Sequence, residues 1–155
     1  MIIRQATIED TSQIVQLWLG LSEMHAAMEP MWETVGNAEE IHEAHLKTIL
    51  VKDNYYIVVA EVENSIIGFS TLVLSDRPEV FLIKRTASIH DTFVKPEFRK
   101  KGVARKLTEA LVSFAKDKGV EMINLSVAVA NESGNRFWKE VGFKPTLNYM
   151  TKYLD

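Results

Sequence analysis

No cysteine occurs among the 155 residues. That absence excludes disulfides, thiolate metal sites, iron–sulfur clusters and any cysteine nucleophile. Prolines number four and glycines seven, too few and too scattered for a flexible linker or a low-complexity tract. No apolar run approaches the roughly 18 residues of a membrane span, and the start MIIRQATIED lacks a signal-peptide pattern. The expectation is one cytoplasmic domain over residues 1–155, without membrane contact. Its hydrophobic content of 46% and charged content of 25% are those of a soluble globular protein.

The formal net charge of −3 conceals an asymmetry. Residues 1–63 hold 11 acids and 3 bases, whereas residues 64–155 hold 10 acids and 15 bases. Six of those bases lie between Lys95 and Lys106, with Glu97 as the lone acid there. Different regions are therefore expected to meet ligands of different charge.

Periodicity gives the element order β-α-α-β-β-β-α-β-α-β. Ile2 to Ala6 opens as a strand, and Thr7 with Asp10 forms a helix-start pair. Ile14, Leu17, Trp18 and Leu21 predict a helix to about Met24, and His25 to Gly36 reads as a loop or broken helix. Asn37 and Glu40 open a second helix, whose face would carry Ile41, Ala44, His45, Thr48 and Ile49. Tyr55–Val62 and Ser65–Leu74 read as a hairpin around Glu63-Asn64, followed by a strand from Thr86 to Val94. From Gly102 a helix carries Val103, Leu107, Ala110, Leu111, Phe114 and Ala115 on one face and stops at Gly119. Ile123, Leu125, Val127 and Val129 alternate as a strand, Asn131 to Val141 is helical, and Leu147, Tyr149, Thr151 and Tyr153 suggest a last strand. Hairpin-linked and helix-linked strands together predict an α/β fold, a mixed sheet with helices on both faces.

One segment points to chemistry. After Val94 a strand ends, a basic loop runs from Lys95 to Lys101, and a helix starts at Gly102. Amides in the first turn of a helix lack intrahelical partners and carry partial positive charge, which suits a pyrophosphate. Gly102 and Ala104 allow close approach, while Arg99, Lys100, Lys101 and Arg105 add charge. The segment is not a Walker A loop, since no G-x-x-x-x-G-K followed by Ser or Thr is present. A single glycine also excludes the Rossmann fingerprint.

Val94-x-Pro96-x-x-Arg99-x-x-Gly102-x-Ala104 resembles the acetyl-CoA-binding motif of the GNAT family of N-acetyltransferases. Ile3-Arg4-Gln5-Ala6-Thr7 followed by Asp10 resembles the family's opening. The stretch from Asn131 through Asn135 and Trp138 to Gly142-Phe143 is similar to its late motif, one residue shorter after the asparagine. The resemblance implies a mixed, mostly antiparallel central sheet whose parallel strands splay apart to receive pantetheine. It implies acetyl-CoA as the acyl donor, with no metal. Carried over by residue, backbone groups of Phe93 and Val94 would pair with pantetheine. Amides across Arg99, Lys100, Lys101, Gly102, Val103 and Ala104 would hold the diphosphate, with Arg105 adding charge, and Asn131 would contact the donor.

The family's reaction is direct attack of an amine on the thioester. The oxygen gains charge in the transition state, and a backbone N–H of Val94 is assigned to stabilise it. Ile89-His90-Asp91-Thr92-Phe93-Val94 resembles a strand of polyamine-acetylating members, in which His90 falls at a glutamate base. Imidazole titrates near neutrality and suits that task. Asp91 has the opposite strand parity and should face the other side unless a bulge intervenes. Asp91 and Glu29 are candidates for a cationic acceptor, with Glu23 and Glu33 beside them. Trp138 stands where many members have a tyrosine acid; indole is too weakly acidic to replace it. Tyr149 reads as a strand aromatic rather than a substitute. His42 and His45 lie one turn apart but lack a third ligand, so they and His25 read as surface or packing residues.

The expected activity is acetyl transfer to a primary amine of a small molecule or peptide. A non-catalytic acetyl-CoA sensor is the alternative. A nucleic-acid partner is disfavoured by net acidity and by the lack of a recognisable binding fold. The resemblance leaves a homodimer open, and no dimer surface is identifiable.

Overall fold

The computed structural model describes residues 1–154. Five strands form one sheet in the order β1-β2-β3-β4-β5: β1 Ile2–Gln5, β2 Tyr55–Val62, β3 Ser65–Asp76, β4 Arg85–Val94 and β5 Met122–Leu125. The first three pairings are antiparallel, and β4 with β5 is parallel. Helices α1 (Thr11–Ala26) and α2 (Ala38–Ile49) follow β1, α3 (Val103–Asp117) links β4 to β5, and α4 (Glu132–Glu140) follows β5.

Strand alternation divides the core. Ile57, Val59, Phe69 and Phe93 pack beneath α1 and α2 with Ile14, Leu17, Trp18, Leu21, Leu46 and Ile49. Val58, Ala60, Leu72, Ala87, Ile89 and Val94 face the other way, against Val103, Leu107, Leu111 and Ala115 of α3. The expected α3 face is thus the buried one, and Phe114 adds a parallel stack on Tyr56 at 3.7 Å. The β2–β3 turn has Glu63 at φ 49° and Asn64 at φ 62°, the paired left-handed conformation of a two-residue hairpin. At the start of the chain, Arg4 grips the Asp10 carboxylate with two bonds of 2.7 and 2.8 Å and reaches Glu61 at 2.7 Å. The Asp10 carboxylate also accepts the Thr7 amide. Arg4 holds the Asp10 carboxyl below the usual carboxylate range.

Three expectations fail. The α2 face is rotated: Ile41 is exposed, while Ala38, Leu46 and Ile49 are buried and His42 stacks on Trp18 at 4.8 Å. The β5 strand ends at Leu125, so Val127 and Val129 lie outside it. Leu147, Tyr149, Thr151 and Tyr153 form no strand. Gly142 turns the chain at φ 99°, and the Phe143 amide bonds back to Trp138 O. Pro145 then removes a donor where a ladder would begin. The segment leaves the sheet, and the Tyr153 hydroxyl donates to Glu29 at 2.6 Å.

Candidate active site

The parallel ladder between β4 and β5 runs from Thr86/Met122 to Ile89/Leu125 and stops there. Beyond that point the strands part, and a cleft opens between them. Its walls are Ile89, His90, Asp91 and Thr92 of β4, Leu125 to Val127 after the ladder, Leu21, Met24 and His25 of α1, and Asn131 and Trp138. Residues of α1 therefore meet the segment after β5 and α4 across one opening.

A one-residue bulge shapes the β4 wall. Ser70 pairs with Thr92, but Leu72 pairs with Ile89, so both His90 and Asp91 lie opposite Thr71. The insertion flips the strand's parity. Ile89 packs toward α3, whereas Phe93, four residues on, packs toward α1. The expectation that His90 and Asp91 diverge holds only without a bulge; here both line the cleft.

Asp91 is tightly held. Trp18 Nε1 donates to its Oδ1 at 3.1 Å, and Thr71 Oγ1 donates to its Oδ2 at 2.8 Å. Its own amide donates to Thr71 Oγ1 at 3.1 Å, and its carbonyl accepts from Ser70 Oγ at 2.9 Å. Among the described residues no cation forms an ion pair with this carboxylate. His90 is exposed at the rim. His25, which reads from sequence as a surface or packing residue, is half-buried on the facing wall with Trp32 tilted against it at 5.4 Å. Burial pushes its pKa below the ordinary histidine range, and the Asp91 charge opposes that shift in part. The i, i+4 spacing from Leu21 is the signal that carries His25 to this face.

At the end of β4 the backbone pattern sorts Phe93 from Val94. Lys95 N–H bonds Ile67 O in register, so by antiparallel alternation Phe93 also directs its N–H and C=O to β3. Phe93 is therefore not available to pair with a ligand in the cleft, and its ring packs 3.1 Å from where a Cβ on Gly20 would stand. Val94 and Thr92 turn their backbone groups to the parting side instead. Arg99 also departs from expectation: its Nε donates to Val94 O at 2.9 Å, and its guanidinium lies 5.3 Å from the Phe93 ring.

The loop after β4 has the expected form. Lys100 (φ 59°) and Gly102 (φ 78°) are left-handed, and the first α3 bond is Lys106 N–H to Gly102 O at 3.1 Å. The amides of Val103, Ala104 and Arg105 precede that bond. Val103 is buried in the α3 core, so only its backbone is available; Lys100, Lys101 and Arg105 are exposed. No atom lies within 4 Å of a Cβ built on Gly102. Asn131 caps α4, accepting from the Gly134 amide at 2.9 Å while lining the cleft. Trp138 packs edge-on against Phe143 at 5.3 Å as a wall of the cleft. Glu29 is engaged by Tyr153 and does not line the cleft, and Tyr149 is exposed and outside it.

Residues 18–143 match the model of the acetyltransferase (GNAT) family. The chain belongs to the GNAT family. An uncharacterized N-acetyltransferase of Methanocaldococcus jannaschii, MJ1207, is 30% identical over 102 residues, which is 64% of this GNAT chain and 44% of that relative. The chain thus matches less than half of that relative's length. The BH1408 protein of Bacillus halodurans, solved as a tetramutant, has the same fold at a TM-score of 0.89, with 24% identity over 99% of this chain and 100% of that one. An aminoglycoside N-acetyltransferase, AAC(6′)-Iy, solved in complex with CoA, superposes at a TM-score of 0.78, with 21% identity over 99% and 93% of the two chains. Among the described residues no helix is long and apolar enough to cross a membrane, and no group of three His, Asp or Glu could hold a metal ion.

Proposed function

We propose that this GNAT protein transfers an acetyl group from acetyl-CoA directly to a primary amine of a cationic small molecule or peptide. The observation that carries the reading is the parting of β4 and β5 at Ile89/Leu125, with Val94 turned toward the opening. The CoA complex of the aminoglycoside enzyme, which shares this fold, supports acetyl-CoA as the donor.

Each residue then has a task. The amides from Gly102 to Arg105 hold the diphosphate, and Lys100, Lys101 and Arg105 neutralise it. Thr92 and Val94 present backbone groups to the pantetheine arm, in place of Phe93. Asn131 flanks the arm from the α4 cap. The Val94 N–H donates to the thioester oxygen as charge builds on it. Asp91 receives the ammonium of the acceptor, since its two oxygens are held by neutral donors and no described cation pairs with them. Glu29, bonded to Tyr153 outside the cleft, takes no part. His90, at the rim, passes the released proton on to water. Trp138 supplies no proton, and a thiol with a pKa of about 8.5 leaves without a dedicated acid.

A screen of polyamines, amino acids, aminoglycosides and peptides, reading CoA release by thiol titration, tests the reading. The chain contributes no thiol background, as it has no cysteine. Amine-dependent CoA release is expected. Trp138 in place of an acid favours a second reading, an acetyl-CoA sensor without turnover. Tight acetyl-CoA binding with no CoA release from any amine would select it.

A further inference from the structure

We infer that His25 is a catalytic residue, the group that takes the first proton from the ammonium bound at Asp91. The inference rests on the proposed acetyl transfer and deepens it.

Geometry sets His25 apart from the other histidines. His42 stacks on Trp18 at 4.8 Å and His45 tilts against it at 5.8 Å, and neither lines the cleft. His90 stands on the same strand as Asp91, exposed at the rim. His25 faces Asp91 from α1, across the cleft, and is half-buried. Trp32 tilts against the ring at 5.4 Å between centroids, and among the described residues neither ring nitrogen has a hydrogen-bond partner. An amine seated on Asp91 therefore lies between a fixed carboxylate and an imidazole whose lone pair is not committed elsewhere. Burial also keeps the ring neutral at neutral pH, the form that accepts a proton. The other charged or titratable groups around it are few. Asp91 and His90 face it from β4, and Arg99 reaches neighbouring Met24 from the loop before α3. Glu23 lies two residues before it, and Glu29, bonded to Tyr153, lies four residues after it.

The step balances. One ammonium proton passes to an imidazole nitrogen of His25, freeing the lone pair. The amine nitrogen bonds the thioester carbon, and the C–S bond then breaks with its electron pair leaving on sulfur. The second nitrogen proton goes to that sulfur, and CoA leaves as the thiol. His25 returns its proton to water through the rim, beside His90.

Steady-state rates with acetyl-CoA and 1,4-diaminobutane, followed by the best amine of the screen, test the assignment between pH 5.5 and 9. His25→Gln should lower kcat/KM for the amine by about 10²-fold, the low end of general-base contributions. It should also remove the acidic limb of the pH profile, and imidazole should restore rate to His25→Ala. His90→Gln should keep the limb with a smaller loss. A His25→Gln enzyme with an unchanged profile overturns the inference, whether or not its rate falls. So does loss of the limb in His90→Gln alone. A wild-type protein that releases no CoA with any amine overturns the acetyl-transfer reading itself, an outcome distinct from both.

Discussion

The bond from Trp18 to Asp91 allows a quantitative test of how the β4 wall of the cleft is built. Trp18→Phe keeps an aromatic ring beneath α2 but deletes the Nε1 donor 3.1 Å from Asp91 Oδ1. A hydrogen bond to a charged group contributes about 1.5–3 kcal/mol. Asp91 is half-buried, so water replaces part of the lost bond and the expected coupling is nearer 1 kcal/mol. Trp18 is also only 8% exposed, and removing part of its ring leaves a gap that adds its own cost. A double-mutant cycle separates the two effects. Asp91→Asn is the second leg: its amide nitrogen must meet either the indole N–H or the Thr71 hydroxyl, both donors to the carboxylate. Urea unfolding of the four proteins, followed by far-UV circular dichroism because a tryptophan is being removed, gives the coupling. Each kcal/mol is expected to move Tm by about 2–4 °C at this chain length. A coupling within about 0.3 kcal/mol of zero, the usual scatter of additivity, would mean that the indole does not hold Asp91.

Three other outcomes are expected. Arg99→Lys keeps the charge but loses the Nε bond to Val94 O, so both Arg99→Lys and Arg99→Gln should lower kcat several-fold, consistent with about 1 kcal/mol. If only the glutamine variant is impaired, and through KM for acetyl-CoA, Arg99 acts as phosphate charge instead. Gly102→Ala forces a side chain to φ 78° and should cost about 1–2 kcal/mol of stability while weakening acetyl-CoA binding, measured by calorimetry. Asp10 is held below its ordinary value of 3.8 chiefly by Arg4, so it adds stability above that pH and loses it as pH falls through the folded value. Asp10→Asn should therefore flatten the fall in urea midpoint below pH 4, and an unchanged acid limb would remove Asp10 from the account.

Much of the fold was legible because its signals are local. The alternation in β2, the i, i+3, i+4 stripe of α3 and the glycines at 119 and 142 are consequences of backbone geometry alone. The errors fall where a partner decides. Spacing predicts an α2 stripe through Ile41, Ala44, His45, Thr48 and Ile49, whereas the stacking of His42 on Trp18 turns a neighbouring stripe inward. The period-two pattern from Leu147 to Tyr153 is present, but alternation does not supply a neighbouring strand. With Gly142 and Pro145 redirecting the chain, the pattern remains unpaired.

The site follows the same division, and the bulge makes the point. The loop from Lys95 to Gly102 carries its meaning in sequence, since glycine, charge and a helix start are all local. What faces the cleft depends on whether β4 keeps its parity, and one inserted residue opposite Thr71 reverses it. That reversal brings His90 and Asp91 to one wall, turns Phe93 under α1, and leaves Val94 packed toward α3. A regular strand would bring only one of the first two to the cleft. Two anchors flank this bulge: Asp91 is held by Trp18 of α1 and Thr71 of β3, while three residues on, the Val94 carbonyl accepts Arg99 of the basic loop. Deleting His90 should thus restore regular pairing, with Asp91 directly opposite Thr71 and still on the face of the indole. Such a variant is expected to fold with β4 in continuous register while losing the imidazole from the rim, a change that amide exchange across β3 and β4 would register. Continued protection of a bulged pattern at Thr71 would show that the bulge is imposed by the tertiary contacts of Asp91 rather than by residue count.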